Sequence, residues 1–177
     1  LLPFPAIQMA AGEGEENINL YLYALGGDGY MHTLPSGENG DAVSVVIDSS
    51  ADFNFALTDD QNQSLRAALT LDSYRSGVAA HAWVWACVDA LFGGSTLEFS
   101  MIDASNREGT SGTTLAKGEM TVDTNCPSID EPGANDNDNF DLTWESGIPD
   151  SNGKHEIEQG RCLVVQVQNT GGTGVKM

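Results

Sequence analysis

Short runs in which apolar and polar residues alternate recur along most of this chain. In the clearest run, residues 17–25, isoleucine and leucine alternate with asparagine and tyrosine. Successive side chains of a strand point to opposite faces, so this period of two predicts a half-buried β-strand. Similar runs lie between turns rich in Gly, Asn and Asp, at residues 42–48, 52–57, 69–74, 116–122, 140–144 and 157–168. Short strands at this spacing predict an all-β sandwich or barrel.

The most apolar stretch, residues 78–103, is predicted to organise the fold. It reads as two strands around Gly93-Gly94, and the two glycines suit a tight hairpin. On the first strand both faces are largely apolar, as expected in the middle of a sandwich. A helix is the alternative, because the segment is rich in alanine and is followed by glycine; the strand interpretation is favoured.

The net charge of the chain limits the kinds of molecule that it is expected to bind. Lys and Arg number 7 against 26 Asp and Glu, giving a formal net charge of −19. Such a chain repels phosphate backbones, so nucleic acid is not an expected partner. The charge is typical of proteins secreted into or adapted to salty water, and equally of an acidic mesophilic protein. No apolar run reaches the roughly 20 residues of a membrane span, and 177 residues suit a single domain.

The first sixteen residues differ from the rest. Residues 1–11 are apolar and contain Pro3 and Pro5, which favour an extended conformation, and residues 12–16 form a flexible acidic hinge. We therefore expect an assembly arm and hinge at 1–16, followed by a β-sandwich domain at 17–177. The alternative is that the segment is the first strand of the same domain. The side chains expected to be buried by the arm are Leu1, Leu2, Phe4, Ile7 and Met9.

The three cysteines, Cys87, Cys126 and Cys162, lack the spacing of a zinc site. Cys126 ends one predicted strand and Cys162 begins another, so a Cys126–Cys162 disulfide is predicted, with Cys87 packed as a small apolar residue. Three buried thiols are the alternative. A disulfide requires an oxidising compartment, and we expect an extracellular or cell-surface location.

A polar stretch at residues 130–141 is the candidate metal site. Calcium prefers six to eight oxygen ligands from flexible loops. The predicted ligands are Asp130, Asp136, Asp138 and Asp141, although a solvated acidic loop explains the same residues. No other cofactor is expected.

Catalytic signatures are absent from the sequence. His32, His81 and His155 belong to no recognised catalytic motif, and we expect a protein that is not an enzyme. The tryptophans and tyrosines suit either a sugar-stacking platform or the core. Because aromatic residues make up only 7% of the chain, the core is the favoured interpretation. These residues are Trp83, Trp85, Trp144, Tyr21, Tyr23 and Tyr30.

The end of the sequence, Phe140-Asp-Leu-Thr-Trp144 followed by residues 155–167, resembles the last two strands of jelly-roll domains. Such domains occur in surface proteins, carbohydrate-binding modules and small viral capsid subunits. The resemblance implies a single-domain, jelly-roll-like antiparallel β-sandwich, here with an extended N-terminal arm. We expect a structural subunit that assembles with copies of itself into an extracellular filament or surface array by strand addition. The alternatives are a viral capsid subunit, located in the virion, a calcium-dependent carbohydrate-binding module and a hydrolase of unrecognised type.

Overall fold

The computed structural model describes residues 6–11, 16–25, 27–32, 45–57, 64–88, 93–126 and 136–177, and within these ranges the chain is built from β-strands. None of the described segments contains a helix long and apolar enough to cross a membrane. The strands are β1 Ala6–Ala11, β2 Glu16–Leu25, β3 Asp28–His32, β4 Val46–Ile47, β5 Asp52–Leu57, β6 Leu69–Asp72, β7 Val78–Val88, β8 Ser95–Ala104, β9 Thr113–Val122, β10 Asp136–Trp144, β11 Lys154–Ile157, β12 Cys162–Asn169 and β13 Val175–Lys176.

Nine of these strands close into a barrel. Their order around the ring is β1, β2, β3, β5, β12, β8, β9, β10 and β7, and β7 pairs with β1 to complete it. The closing register runs from Ala6 opposite Trp83 to Met9 opposite Ala80. Neighbours are antiparallel except β3 and β5, which are parallel. Strands β6 and β11 extend the sheet beside β1, while β4 and β13 pair at the end of β7.

The all-β prediction is confirmed, but the jelly-roll sandwich is wrong. Hydrogen bonds between β1 and β7 join the two sides of the sheet, so the strands form a closed ring instead of two packed sheets. Closure satisfies the backbone groups that an edge strand would leave unpaired. The extended arm is also wrong for residues 6–11, which form β1 of this barrel. The first five residues lie outside the described part of the chain.

Strand β7 confirms the strand interpretation of the central stretch, but the predicted hairpin with β8 is wrong. Strand β7 pairs with β10, β1 and β13, and β8 pairs with β12 and β9. The inner face of β7 carries small residues, Ala80, Ala82, Val84 and Ala86, all essentially inaccessible to solvent. The outer face carries His81, Trp83 and Trp85, so alternation along the strand divides its side chains between the core and the outer wall.

The barrel interior is filled mainly by leucine, methionine, valine and phenylalanine. Phe55 and Phe99 are buried there, and Phe53 and Phe140 pack against the same cluster. Gly29 of β3 is required by the close approach of β5, because a Cβ atom at this position would lie 2.1 Å from the Asn54 carbonyl oxygen. All four phenylalanines of the described ranges thus belong to this interior cluster or pack against it.

A second, smaller cluster lies on the outside of the wall. Ala56, Ile102, Ala104, Cys162 and Val164 are buried there, although they alternate with residues that face the interior. The loop at residues 105–112 covers them, since Gly109 lies near both Ile102 and Val164. This loop brings Arg107 towards β3, where it borders the surface described next.

Candidate functional site

Aromatic side chains are sorted by type between the two sides of the barrel wall. The described phenylalanines face the interior, whereas all four tyrosines and two of the three tryptophans of the chain are half-buried on the outside. The outer residues come from the neighbouring strands β3 and β2, from β7, which is separated from β2 by β1, and from the turn that precedes β7. We call this surface the aromatic face, and it consists of Tyr21, Tyr23, Tyr30, Tyr74, Trp83 and Trp85.

At one side of the aromatic face two tyrosines stack across neighbouring strands. Tyr23 of β2 and Tyr30 of β3 lie opposite each other, with ring centroids 5.4 Å apart and planes inclined by 22°. The guanidinium of Arg107 sits 4.8 Å from the centre of the Tyr30 ring and pairs with Asp28 at 3.6 Å. Burial, and then the neighbouring Tyr30, raise the pKa of the Tyr23 hydroxyl.

The other side of the aromatic face is organised around His81. The Trp83 and His81 rings meet edge to face with centroids 4.6 Å apart, and Tyr74 stacks on His81 at 5.8 Å. The His81 Nδ1–H donates to Asp141 Oδ1 at 2.8 Å, and Arg75 donates to the other carboxylate oxygen. The hydrogen bond from His81, followed by that from Arg75, holds the pKa of Asp141 below its usual range. Asp141 is therefore an ionised acceptor that fixes two side chains beside the rings.

A row of polar side chains runs beside the aromatic residues. Register places Asn19, Gln8, His81 and Asp141 side by side on β2, β1, β7 and β10. The Gln8 side-chain amide donates to Asn19 Oδ1 at 3.1 Å. One row further along, the exposed Asn139 lies opposite Trp83. A row of hydrogen-bonding side chains thus crosses four strands, and aromatic rings lie in the next row along the strands.

A second group of charged residues lies at an end of the barrel and has a structural explanation. Asp103 is largely buried, and its carboxylate accepts hydrogen bonds from Arg161 and from His155 Nε2, the latter at 3.2 Å. Arg161 also donates to the Asp103 carbonyl oxygen at 3.0 Å. These contacts tie β8 to β11 and to the start of β12.

The predicted cysteine pairing is wrong. The disulfide joins Cys87 to Cys126, whose Cα atoms are 4.8 Å apart. The Val88 N–H donates to the Thr124 carbonyl oxygen, and the Cys126 N–H donates to the Val88 carbonyl oxygen. These two hydrogen bonds bring the cysteines together. Cys162 is buried instead in the outer cluster beneath the 105–112 loop, and burial raises the pKa of its thiol.

The predicted calcium ligands and arm residues have different outcomes. Asp136, Asp138 and Asp141 belong to strand β10 rather than to a loop, Asp141 already pairs with His81 and Arg75, and Asp130 lies outside the described residues. No cluster of three potential metal ligands occurs in the described ranges. Calcium binding stays a prediction. Ile7 and Met9 are buried in the chain's own core, and the three arm residues Leu1, Leu2 and Phe4 lie outside the described part.

The expectation that the tryptophans and tyrosines fill the core is correct for Trp144, which is 8% exposed, and wrong for the residues of the aromatic face. Gln8, Asn19, Tyr74, Arg75 and Asn139 were not among the predicted site residues. Alternation with Leu20 and Leu22 was the signal for the outward position of Tyr21 and Tyr23. The row of polar side chains from Asn19 to Asp141 carries no such signal in the sequence, because it is formed only when strands distant in the chain pair with one another.

Comparisons with known proteins give little further information. Neither a family model nor a curated protein matches this chain. Among solved structures, the chain is similar to an alpha-amino acid ester hydrolase labelled with selenomethionine, with 15% sequence identity and a TM-score of 0.48. The match covers 91% of this chain and 28% of the hydrolase chain, so the chain spans little more than a quarter of that enzyme's length.

Proposed function

We propose that this protein is a non-catalytic carbohydrate-binding module whose aromatic face binds a neutral, extended, β-1,4-linked polysaccharide. The observation that carries the proposal is the sorting of aromatic residues. The four described phenylalanines, which have no polar group, are kept inside, while the four tyrosines together with Trp83 and Trp85 lie half-exposed on the outside of the wall. Their polar groups explain why tyrosine and tryptophan side chains reach the outer surface in any fold, but not why six of them collect on one part of the wall.

The chemistry of a sugar chain matches that surface. The C–H groups on the face of a pyranose ring are slightly positive and stack on the negative π-face of an aromatic ring. Trp83 and Trp85 are alternate residues of one strand, about 6.6 Å apart along it, so they offer successive stacking positions. Sugar hydroxyl groups also need hydrogen-bond partners when they leave water. Gln8, Asn19 and Asn139 supply such partners beside the rings.

Nucleic acid bases also stack on aromatic side chains, so the charge of the protein has to decide between a nucleic acid and a sugar chain as the ligand. A net charge of −19 opposes binding of a phosphate backbone. The two arginines nearest the face are already paired, Arg75 with Asp141 and Arg107 with Asp28. The same charge disfavours uronic acid and sulfated polymers. A neutral glycan is the stacking ligand that remains.

The proposal is tested by affinity electrophoresis in gels that contain soluble cellulose-type or chitin-type polymers, with alginate and single-stranded DNA as anionic comparisons. The wild-type protein should be retarded by at least one neutral polymer and by neither anionic one. Trp83→Ala should weaken binding about 5-fold to 150-fold, on the scale of about 1 to 3 kcal/mol measured for bases stacked on aromatic side chains. Gln168→Ala removes an exposed side chain from β12, the fourth strand round the ring from β7, and is the control.

Circular dichroism must show that both variants keep the wild-type fold. Equal retardation of Trp83→Ala and wild-type protein, or no retardation of the wild-type protein by any neutral polymer, would refute the proposal.

Self-assembly and an extracellular location stay predictions. For assembly by strand addition, however, β1 offers no free edge, because β2 occupies one edge and β7 and β6 share the other.

A further inference from the structure

An open cleft of about 520 Å³ lies at the corner of the aromatic face. One wall is the turn between β6 and β7, and the other is formed by the end of β10 and residues 145–153. This volume is within the usual range for small-molecule sites, about 300 to 1,000 Å³. Trp144 contributes an aromatic ring to the lining, and six lining residues have polar side chains: Ser73, Ser76, Thr143, Glu145, Ser146 and Asn152.

Hydrogen bonds fix the walls of the cleft. The Trp144 indole N–H donates to Ser73 Oγ at 2.9 Å, and the Ser73 hydroxyl donates to the Gly153 carbonyl oxygen at 2.7 Å. This chain joins the two walls where they meet. Asp150 accepts hydrogen bonds from the backbone N–H groups of Asn152 and Lys154, at 2.8 and 2.9 Å, which hold the 145–153 segment in place. The site is therefore pre-formed.

The cleft continues the surface already described. Tyr74 and Arg75, which contact His81 and Asp141, lie in sequence between the cleft residues Ser73 and Ser76. The cleft begins where the row of polar side chains ends. A sugar chain that stacks along the aromatic face would meet the 145–153 wall at this point.

We propose that this cleft is a subsite for the terminal sugar of the bound chain, so that the module recognises chain ends in addition to chain interiors. This inference rests on the proposed function. Hydroxyl and amide groups line the cleft, and Glu145 is the one charged residue among the described lining. A carboxylate accepts hydrogen bonds from adjacent hydroxyl groups of a neutral sugar and repels the carboxylate of a uronic acid. A neutral terminal unit is the ligand that fits.

The test compares ligands that differ in their proportion of chain ends. Isothermal titration would use cellohexaose and chitohexaose as end-rich probes, and soluble mixed-linkage β-glucan and glycol chitin as long chains. Ser146→Trp places a large ring at the cleft and should lower affinity for the hexaose that binds by about tenfold or more, with affinity for the long polymer within twofold. Glu145→Gln, a milder change, should lower hexaose affinity about threefold to tenfold.

Gln168→Trp is the matched control, because Gln168 is exposed on β12, which is the fourth strand round the ring from β7. It should bind both kinds of probe like the wild-type protein. If Ser146→Trp and Glu145→Gln bind the hexaose normally while Trp83→Ala does not, the end subsite is wrong and the glycan-binding face stands. If Trp83→Ala also binds normally, or the wild-type protein binds none of the four probes, both proposals are overturned.

Discussion

The disulfide between Cys87 and Cys126 should supply a large part of the stability of the barrel. It closes a loop with a sequence separation of 39 residues, and it fastens the end of β7 to the segment that follows β9. In the chain-entropy model a loop of this length reduces the entropy of the unfolded chain by about 13 cal/mol/K, equivalent to about 4 kcal/mol at 25 °C. A typical domain has a net stability of only about 5 to 15 kcal/mol.

The perturbation is the double variant Cys87→Ala/Cys126→Ala, followed by urea denaturation. Its free energy of unfolding should fall by up to about 4 kcal/mol relative to the wild-type protein. Cys162→Ala is the control, because it removes a buried thiol without removing a cross-link, and should cost about 1 kcal/mol. Mass spectrometry after alkylation in denaturant should show one label per chain without reductant and three after reduction.

Three labels without reductant would show that the disulfide is absent. A double variant as stable as Cys162→Ala would contradict the energetic argument even if the labelling result is as expected. One label located at Cys87 would instead support the pairing of Cys126 with Cys162 that the sequence suggested.

Two further substitutions test the wall of the barrel. Because the pKa of Asp141 is lowered in the folded state, its contribution to stability is present above the ordinary carboxyl pKa of about 4 and is lost as the pH falls through the lower folded-state value. Asp141→Asn should therefore be less stable than the wild-type protein at pH 7 by about 1 kcal/mol, and melting curves between pH 2 and pH 7 should converge in acid; a constant gap would contradict this. Gly29→Ala should lower the free energy of unfolding in urea by about 3 kcal/mol or more, because the new Cβ overlaps the Asn54 carbonyl. Gly172→Ala is the control, because no atom lies within 4 Å of the added Cβ, and it should change the free energy of unfolding by less than about 0.5 kcal/mol. Equal stability of the two variants would refute the close approach of β3 and β5.

Local pattern was enough to predict the strands but not their partners. Alternation in residues 17–25 and 52–57 predicted β2 and β5 closely, because each strand has one apolar face and one polar face. On β7 both faces are apolar, so the pattern did not say which face meets the core. The partner that closes the ring, β1, lies about 70 residues earlier in the chain, and no local signal encodes such a pairing.

The candidate site was missed for a related reason. A low aromatic content suggested that the core needed every tryptophan and tyrosine. In the structure the interior next to β7 is filled by small residues such as Ala80 and Ala82, together with phenylalanine and methionine from other strands. The indoles of Trp83 and Trp85 are therefore not needed inside. The polar row from Asn19 to Asp141 depends on the register of four strands, which the sequence alone does not provide.

The position of β12 has a consequence for biosynthesis. Residues 162–169 form the last of the nine ring strands in sequence order, yet they insert between β5 and β8. A nascent chain that has not yet exposed this segment carries two unpaired edges, with the apolar interior between them open to water. Such edges invite pairing with other chains, so the barrel is vulnerable until residue 169 has been made. A chaperone that shields β5 and β8 until residue 169 emerges would protect the yield of folded protein more than one that acts on the first strands.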